Sequence, residues 1–176
     1  DALRDYLSAN IFRTLSATER TFLLHTSPLA EISAADAQAL GLTDATRTMA
    51  RLRSKRLPAR WSKDGTRLTP HPQFREFLVD ELARTEDPER VRRLRRLHAQ
   101  LLVQQGALEE AVDALLRLGD TEGAWQQAAV ALPDLVARMD FASAARWLDA
   151  LDVSTRAPTP EVGTVVLRVS FALEQC

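Results

Sequence analysis

The stretch that most constrains the fold is Arg67–Leu82, RLTPHPQFREFLVDEL. Leu68 and the β-branched Thr69 favour the end of a strand, and the two prolines that follow exclude a helix before Pro72. Pro72 suits the first position of a helix, because its φ is already helical and its missing N–H has no partner there. The apolar residues beyond it share one helical face: Phe74, Phe77, Leu78 and Leu82. The stretch therefore predicts a strand, a tight turn and an amphipathic helix.

His71 lies in the predicted turn, immediately before the helix. Free backbone N–H groups at a helix start, with an imidazole beside them, can hold a phosphate. A histidine at such a position can also be a plain cap or turn residue. The local residues leave both interpretations open.

Composition narrows the class of protein. The chain has 176 residues, 45% of them hydrophobic, which is enough to bury a core in one domain or two small ones. A net charge of -1 gives no overall field that would recruit nucleic acid or a membrane. The single cysteine, Cys176, excludes an internal disulfide framework and a thiolate metal cage. With no signal peptide and no membrane-spanning apolar run, we expect a cytoplasmic protein.

The residues before the central stretch predict four short helices. Apolar residues four apart predict the first over Asp1–Leu15, and Ser16–Glu19 is a capping box that starts the second. Ser33 is predicted to cap the third, and Thr43 or Asp44 the fourth. The segments 57–61 and 66–69 flank SKDG, whose Asp-Gly pair is a strong hairpin signal. Helices, a hairpin wing and a closing helix predict a winged-helix domain over residues 1–84.

The residues from 85 onward predict helix pairs. Thr85–Pro88 is polar and contains a proline, so we place the domain boundary there. Short connections and small residues favour antiparallel neighbours of the tetratricopeptide-like (TPR-like) kind. The predicted helices are Pro88–Gly106, Leu108–Leu118, Thr121–Leu132, Pro133–Met139, Phe141–Leu151 and Glu161–Glu174. The predicted fold class is mainly α, a winged-helix domain followed by a TPR-like arm over residues 85–176.

A basic cluster covers the predicted fourth helix and the wing. Between Asp44 and Arg67, eight cations stand against two carboxylates, a local charge of +6. Such a cluster is the electrostatic footprint of a winged helix on DNA, but it can also meet an acidic protein surface. The cations are Arg47, Arg51, Arg53, Lys55, Arg56, Arg60, Lys63 and Arg67.

Other charged and titratable residues suggest no catalysis. The arginine run 90–96 covers the polar faces left by Val91, Leu94 and Leu97, as on a solvated helix. His98 is predicted on the buried side of the same helix, and His25 has no second ligand at metal spacing. We expect no metal site and no enzymatic activity in this chain.

The motifs HPQFREFL, LHAQLLVQQGALEEAVDALLRLGDTEGAW and ARWLDAL occur in an order that resembles the MalT class of LuxR-type bacterial regulators. These are STAND proteins, in which an ATPase module precedes a winged helix, a helical arm, a repeat sensor and a C-terminal DNA-binding domain. The resemblance implies that the chain is the middle of such a regulator. It also implies that His71 contacts the phosphate of ADP bound by the ATPase module and stabilises the closed resting state.

The resemblance defines the expected cofactors and partners. ATP or ADP is expected in the full-length regulator, but not in this chain alone, since it contains no GxxxxGK[ST] loop. The partners would be its own ATPase module and repeat sensor, an inducer, DNA through the C-terminal domain, and further copies on activation. The alternative function is a DNA-binding winged helix with a helical dimerisation or partner-binding arm.

Overall fold

The computed structural model describes residues 10–152 and, beyond them, Gly163, Val165, Leu167 and Val169. The chain divides into two compact units between His98 and Ala99. The division falls inside a helix that runs from Pro88 to Gln104. Compactness alone therefore does not place a domain end, and the predicted boundary after residue 84 stays a prediction.

The first unit has the element order of a winged helix. Its helices and strands are α1 (Ala17–Thr26), β1 (Ile32–Ser33), α2 (Ala34–Ala39), α3 (Ala45–Arg53), β2 (Ala59–Trp61), β3 (Arg67–Pro70) and α4 (Pro72–Thr85). Helix α2 and helix α3 pack against each other across a short turn, and α1 packs on α3 and α4. The hairpin that follows α3 occupies the position of the wing.

A three-stranded sheet in the order β1-β3-β2 joins the wing to the helices. The predicted hairpin is confirmed, because β2 and β3 pair antiparallel with Trp61 opposite Leu68. Strand β1 was not predicted: it has only two residues, and Ile32 pairs with Leu68 from the other side. Two residues are too few to show the alternation from which a strand is recognised. Leu68 is fully buried at the centre of the sheet.

Side-chain caps set the starts of the first helices. The Ser16 Oγ accepts a hydrogen bond from the Glu19 N–H at 3.2 Å, and the Glu19 carboxylate accepts one from the Ser16 N–H at 2.8 Å. Ser33 and Asp36 repeat this reciprocal pair at the start of α2. These two predicted caps are confirmed, and each satisfies N–H groups that the helix leaves open. For the helix Ala45–Arg53, Asp44 is the N-cap residue as predicted, but its side chain makes no capping hydrogen bond. Pro72 is the first residue of α4, as predicted.

The first predicted helix lies mostly outside the described residues. Its described end forms a 3-10 turn, Phe12–Thr14, rather than a continuous α-helix up to Leu15. Phe12 is buried by this turn and meets the edge of Phe77, with ring centroids 5.8 Å apart. Phe77 also stacks on Phe74 at 6.3 Å. The turn thus packs the Phe12 ring against α4, where the predicted α-helix would have packed its apolar face.

The second unit consists of packed helices. Helix α5 (Pro88–Gln104) leads into it, and α7 (Thr121–Ala137) packs against both α6 (Leu108–Leu118) and α8 (Phe141–Ala150). Its described core includes Val112, Leu132, Trp147 and the buried Val165 and Val169. The predicted helix Glu161–Glu174 lies outside the described residues except at four helical positions. The TPR-like character of the helical arm stays a prediction.

The predicted helix break at Pro133 is wrong. Helix α7 continues through Pro133, which is exposed. The buried face formed by Ala128, Leu132 and Leu135 continues across the proline. Packing of that face therefore outweighs the roughly 3 kcal/mol that a proline costs inside a helix.

Among the described residues, no helix is long and apolar enough to cross a membrane.

The aromatic contacts of Phe77 predict a measurable stability effect. Phe77→Ala removes a side chain that is 4% exposed and is expected to cost about 3–5 kcal/mol of unfolding free energy in urea denaturation. Gln73→Ala, at an exposed position on the same helix, should stay within about 0.5 kcal/mol of the wild type. Equal stabilities for the two variants would contradict this packing.

Candidate functional site

The backbone of His71 is fixed at the junction of β3 and α4. Its N–H donates to the Pro58 carbonyl at 2.8 Å, which extends the pairing of β2 and β3 by one residue. Its carbonyl accepts from the Arg75 N–H at 2.9 Å, the first bond of α4. The imidazole is exposed, makes no capping hydrogen bond and has no partner among the described residues. A backbone held by two hydrogen bonds therefore presents an exposed imidazole.

A groove of about 580 Å³ surrounds this imidazole. Arg60 of β2 and Arg75 of α4 line it together with His71, and none of the described residues that line it is acidic. The remaining lining is mostly apolar, including Leu57, Pro58 and Pro70. The start of α4 adds the positive end of a helix dipole. The groove is suited to an anion with an apolar portion.

Arg75 lines the groove but was not predicted from the sequence as a site residue. It lies four residues after His71, so both residues fall on one side of the first turn of α4. The four-residue spacing could have indicated that Arg75 lies beside His71. That inference also requires the helix to begin directly after His71. Arg60, which was predicted only as part of the basic cluster, lines the same groove.

All eight cations of the predicted basic cluster are exposed. Arg67 pairs with Glu31 at 2.7 Å, whereas no other member has an ion pair within the described part of the chain. Arg47 and Arg51 lie on α3, one turn apart, and Lys63 is in the wing turn. These cations thus lie at the surface of the winged helix, and their role stays a prediction.

Asp64, the acidic residue in the wing turn, is engaged within the turn itself. It accepts hydrogen bonds from the Ser62 hydroxyl at 2.6 Å, the Thr66 N–H at 3.1 Å and the Thr66 hydroxyl at 2.9 Å. These bonds, led by that of Ser62, lower the pKa of Asp64 from 3.8 to about 2. They stabilise the tight turn that Gly65 completes with φ of +71°.

Neither the other histidines nor the second arginine run lines the groove around His71. His25 is buried, with its Nε2 3.4 Å from the Glu86 Oε1, and His98 is half-buried. Glu86 is distant from His25 in sequence, so spacing could not reveal this contact. In the second run, Arg90 pairs with Glu86 and Arg92 with Glu89. The described residues contain no group of three or more side chains suited to hold a metal ion.

The helix-turn-helix pair α2 and α3, the three-stranded sheet and the wing define the first unit as a winged-helix domain. Residues 8–91 match the family described as the MalT winged helix domain. This part of the chain is therefore similar to the MalT winged helix domain, and further helices follow it. No curated protein matches the chain significantly.

The depressed pKa of Asp64 can be measured directly. Its carboxyl resonance in NMR should titrate near pH 2, and Ser62→Ala should move the midpoint towards 3.8 because it removes the largest cause of the shift. The folded pKa lies below the ordinary value, so the stabilising effect is fully present above pH 3.8. It is lost as the pH falls through about 2. A wild-type midpoint at 3.8 would contradict the turn geometry.

Proposed function

We propose that this chain is the regulatory middle segment of a MalT-like, LuxR-family, ATP-dependent transcription regulator of the STAND class. It couples the nucleotide state of an ATPase module to a helical, TPR-like sensor and to a C-terminal DNA-binding domain. The match of residues 8–91 to the MalT winged helix domain carries this proposal. In such a regulator the chain itself is not an enzyme, and the protein works in the cytoplasm.

His71 is the proposed nucleotide-sensing residue. Its imidazole is exposed in a groove that also contains Arg60 and Arg75 and has no carboxylate among the described residues that line it. These features fit the phosphate of ADP held by the neighbouring ATPase module, because three potential donors would face the anion without acidic competition. The ATPase module supplies the remaining contacts, since this chain has no GxxxxGK[ST] loop.

The coupling works through a difference in affinity between two states. A contact that forms only when the ATPase module is closed over the groove stabilises the closed, ADP-bound state relative to the open one. Loss of one hydrogen bond to a charged group costs about 1.5–3 kcal/mol, which shifts the ratio of the states by roughly ten- to a hundredfold. Inducer binding to the sensor and oligomerisation on activation would act on the same equilibrium.

The proposal predicts the behaviour of His71→Ala in the full-length regulator. This variant should be partly active without inducer and should release ADP faster, because the closed state loses one of its contacts. Reporter transcription and the rate of ADP release are the two measurements. Gln73→Ala is the matched control, since Gln73 is exposed in the same helical turn but does not line the groove.

An inducer-dependent His71→Ala variant with unchanged ADP release and an intact circular dichroism spectrum would show that His71 is only a turn residue.

The chain of residues 1–176 alone should hydrolyse no ATP and bind ADP weakly at most, because the phosphate loop is absent from its sequence. Saturable micromolar ADP binding in calorimetry would contradict that expectation.

A further inference from the structure

The surface of α3 and the wing carries a positive charge that its own residues do not neutralise. We call it the α3–wing face and define it by six exposed cations that have no ion pair within the described residues. Arg67 is left out because Glu31 pairs with it, and Arg60 because it lines the His71 groove. Asp64 already accepts three hydrogen bonds within the turn. The six cations are Arg47, Arg51, Arg53, Lys55, Arg56 and Lys63.

Helix α3 and the wing form one continuous part of this face. The Arg53 guanidinium, at the last residue of α3, lies directly against Gly65 in the wing turn, where a Cβ would collide with it. Gly65 therefore permits the close approach of the helix end to the wing. A ligand that contacts the end of α3 consequently reaches the wing as well.

Two kinds of partner carry enough negative charge for this face, an acidic protein surface and a nucleic acid. Protein interfaces are enriched in arginine, but they have an apolar centre. The exposed large hydrophobic residues in the described part of the chain are Val130, Met139 and Leu167, and none of them lies on α3 or the wing. A face that is cationic without an apolar centre fits phosphates better than it fits a protein.

We propose that the α3–wing face binds the phosphate backbone of double-stranded DNA. Helix α3 is the second helix of the helix-turn-helix pair, the one that enters the major groove in proteins of that architecture. The cations of its end and of the wing would then contact phosphates beside the groove. Such contacts position a protein on DNA without reading its sequence. This activity is additional to the proposed coupling and does not depend on His71.

The test is a fluorescence titration of a labelled random duplex with the chain of residues 1–176 at several salt concentrations. Binding should weaken with salt, because each phosphate contact releases counterions. The triple variant Arg47→Gln, Arg51→Gln, Lys55→Gln removes three cations of the face but leaves the His71 groove intact. It should bind the duplex more weakly. The slope of the logarithm of the binding constant against the logarithm of the salt concentration should be less steep by about three, or about one for each cation removed.

A control with the same loss of charge is available on α5. Arg93→Gln, Arg95→Gln, Arg96→Gln removes three exposed cations that have no ion pair within the described residues. This variant should keep the wild-type affinity and salt dependence if the α3–wing face is the site. Circular dichroism establishes that both variants are folded.

Three results would overturn the proposal. The first is an equal loss of binding in the two triple variants, which would mean that net charge alone attracts DNA. The second is the absence of duplex binding even at low salt. The third is tight, salt-dependent binding of the face to the isolated ATPase module without binding to the duplex, which would assign the face to a protein partner. None of these results bears on His71, so the proposed coupling is tested separately.

Discussion

The winged-helix domain depends on the pairing of β3 with strands on both of its sides. Leu68 lies opposite Ile32 of β1 and Trp61 of β2, and it is fully buried. The chain then passes from β3 to α4 through a single residue outside both elements, His71. Two backbone hydrogen bonds fix that residue between Pro58 and Arg75. Sheet pairing thereby determines where the imidazole stands.

Features with a local physical cause could be predicted from the sequence. The caps at Ser16 and Ser33, the start of α4 at Pro72 and the hairpin around Asp64-Gly65 each depend on residues within a few positions of one another. The apolar spacing in α4 likewise predicted a face that is buried in the structure. His71 could be placed because two prolines confine the turn that contains it.

Features that depend on tertiary packing could not be predicted in the same way. Strand β1 exists because Ile32 and Ser33 meet β3, and helix α7 passes Pro133 because its apolar face remains buried on both sides. The contact between His25 and Glu86 joins residues far apart in the sequence. The groove around His71 combines Arg60 from the wing with Arg75 from α4, and neither local pattern indicates the other.

We propose that the junction between β3 and α4 presents His71 to a nucleotide held by the ATPase module. A structure of the full-length regulator bound to ADP would test this proposal. We expect an imidazole nitrogen within hydrogen-bonding distance of a phosphate oxygen, about 2.7–3.2 Å, with Arg60 or Arg75 beside the same groove. A closed, ADP-bound structure in which His71 faces solvent and the phosphates contact only the ATPase module would contradict it.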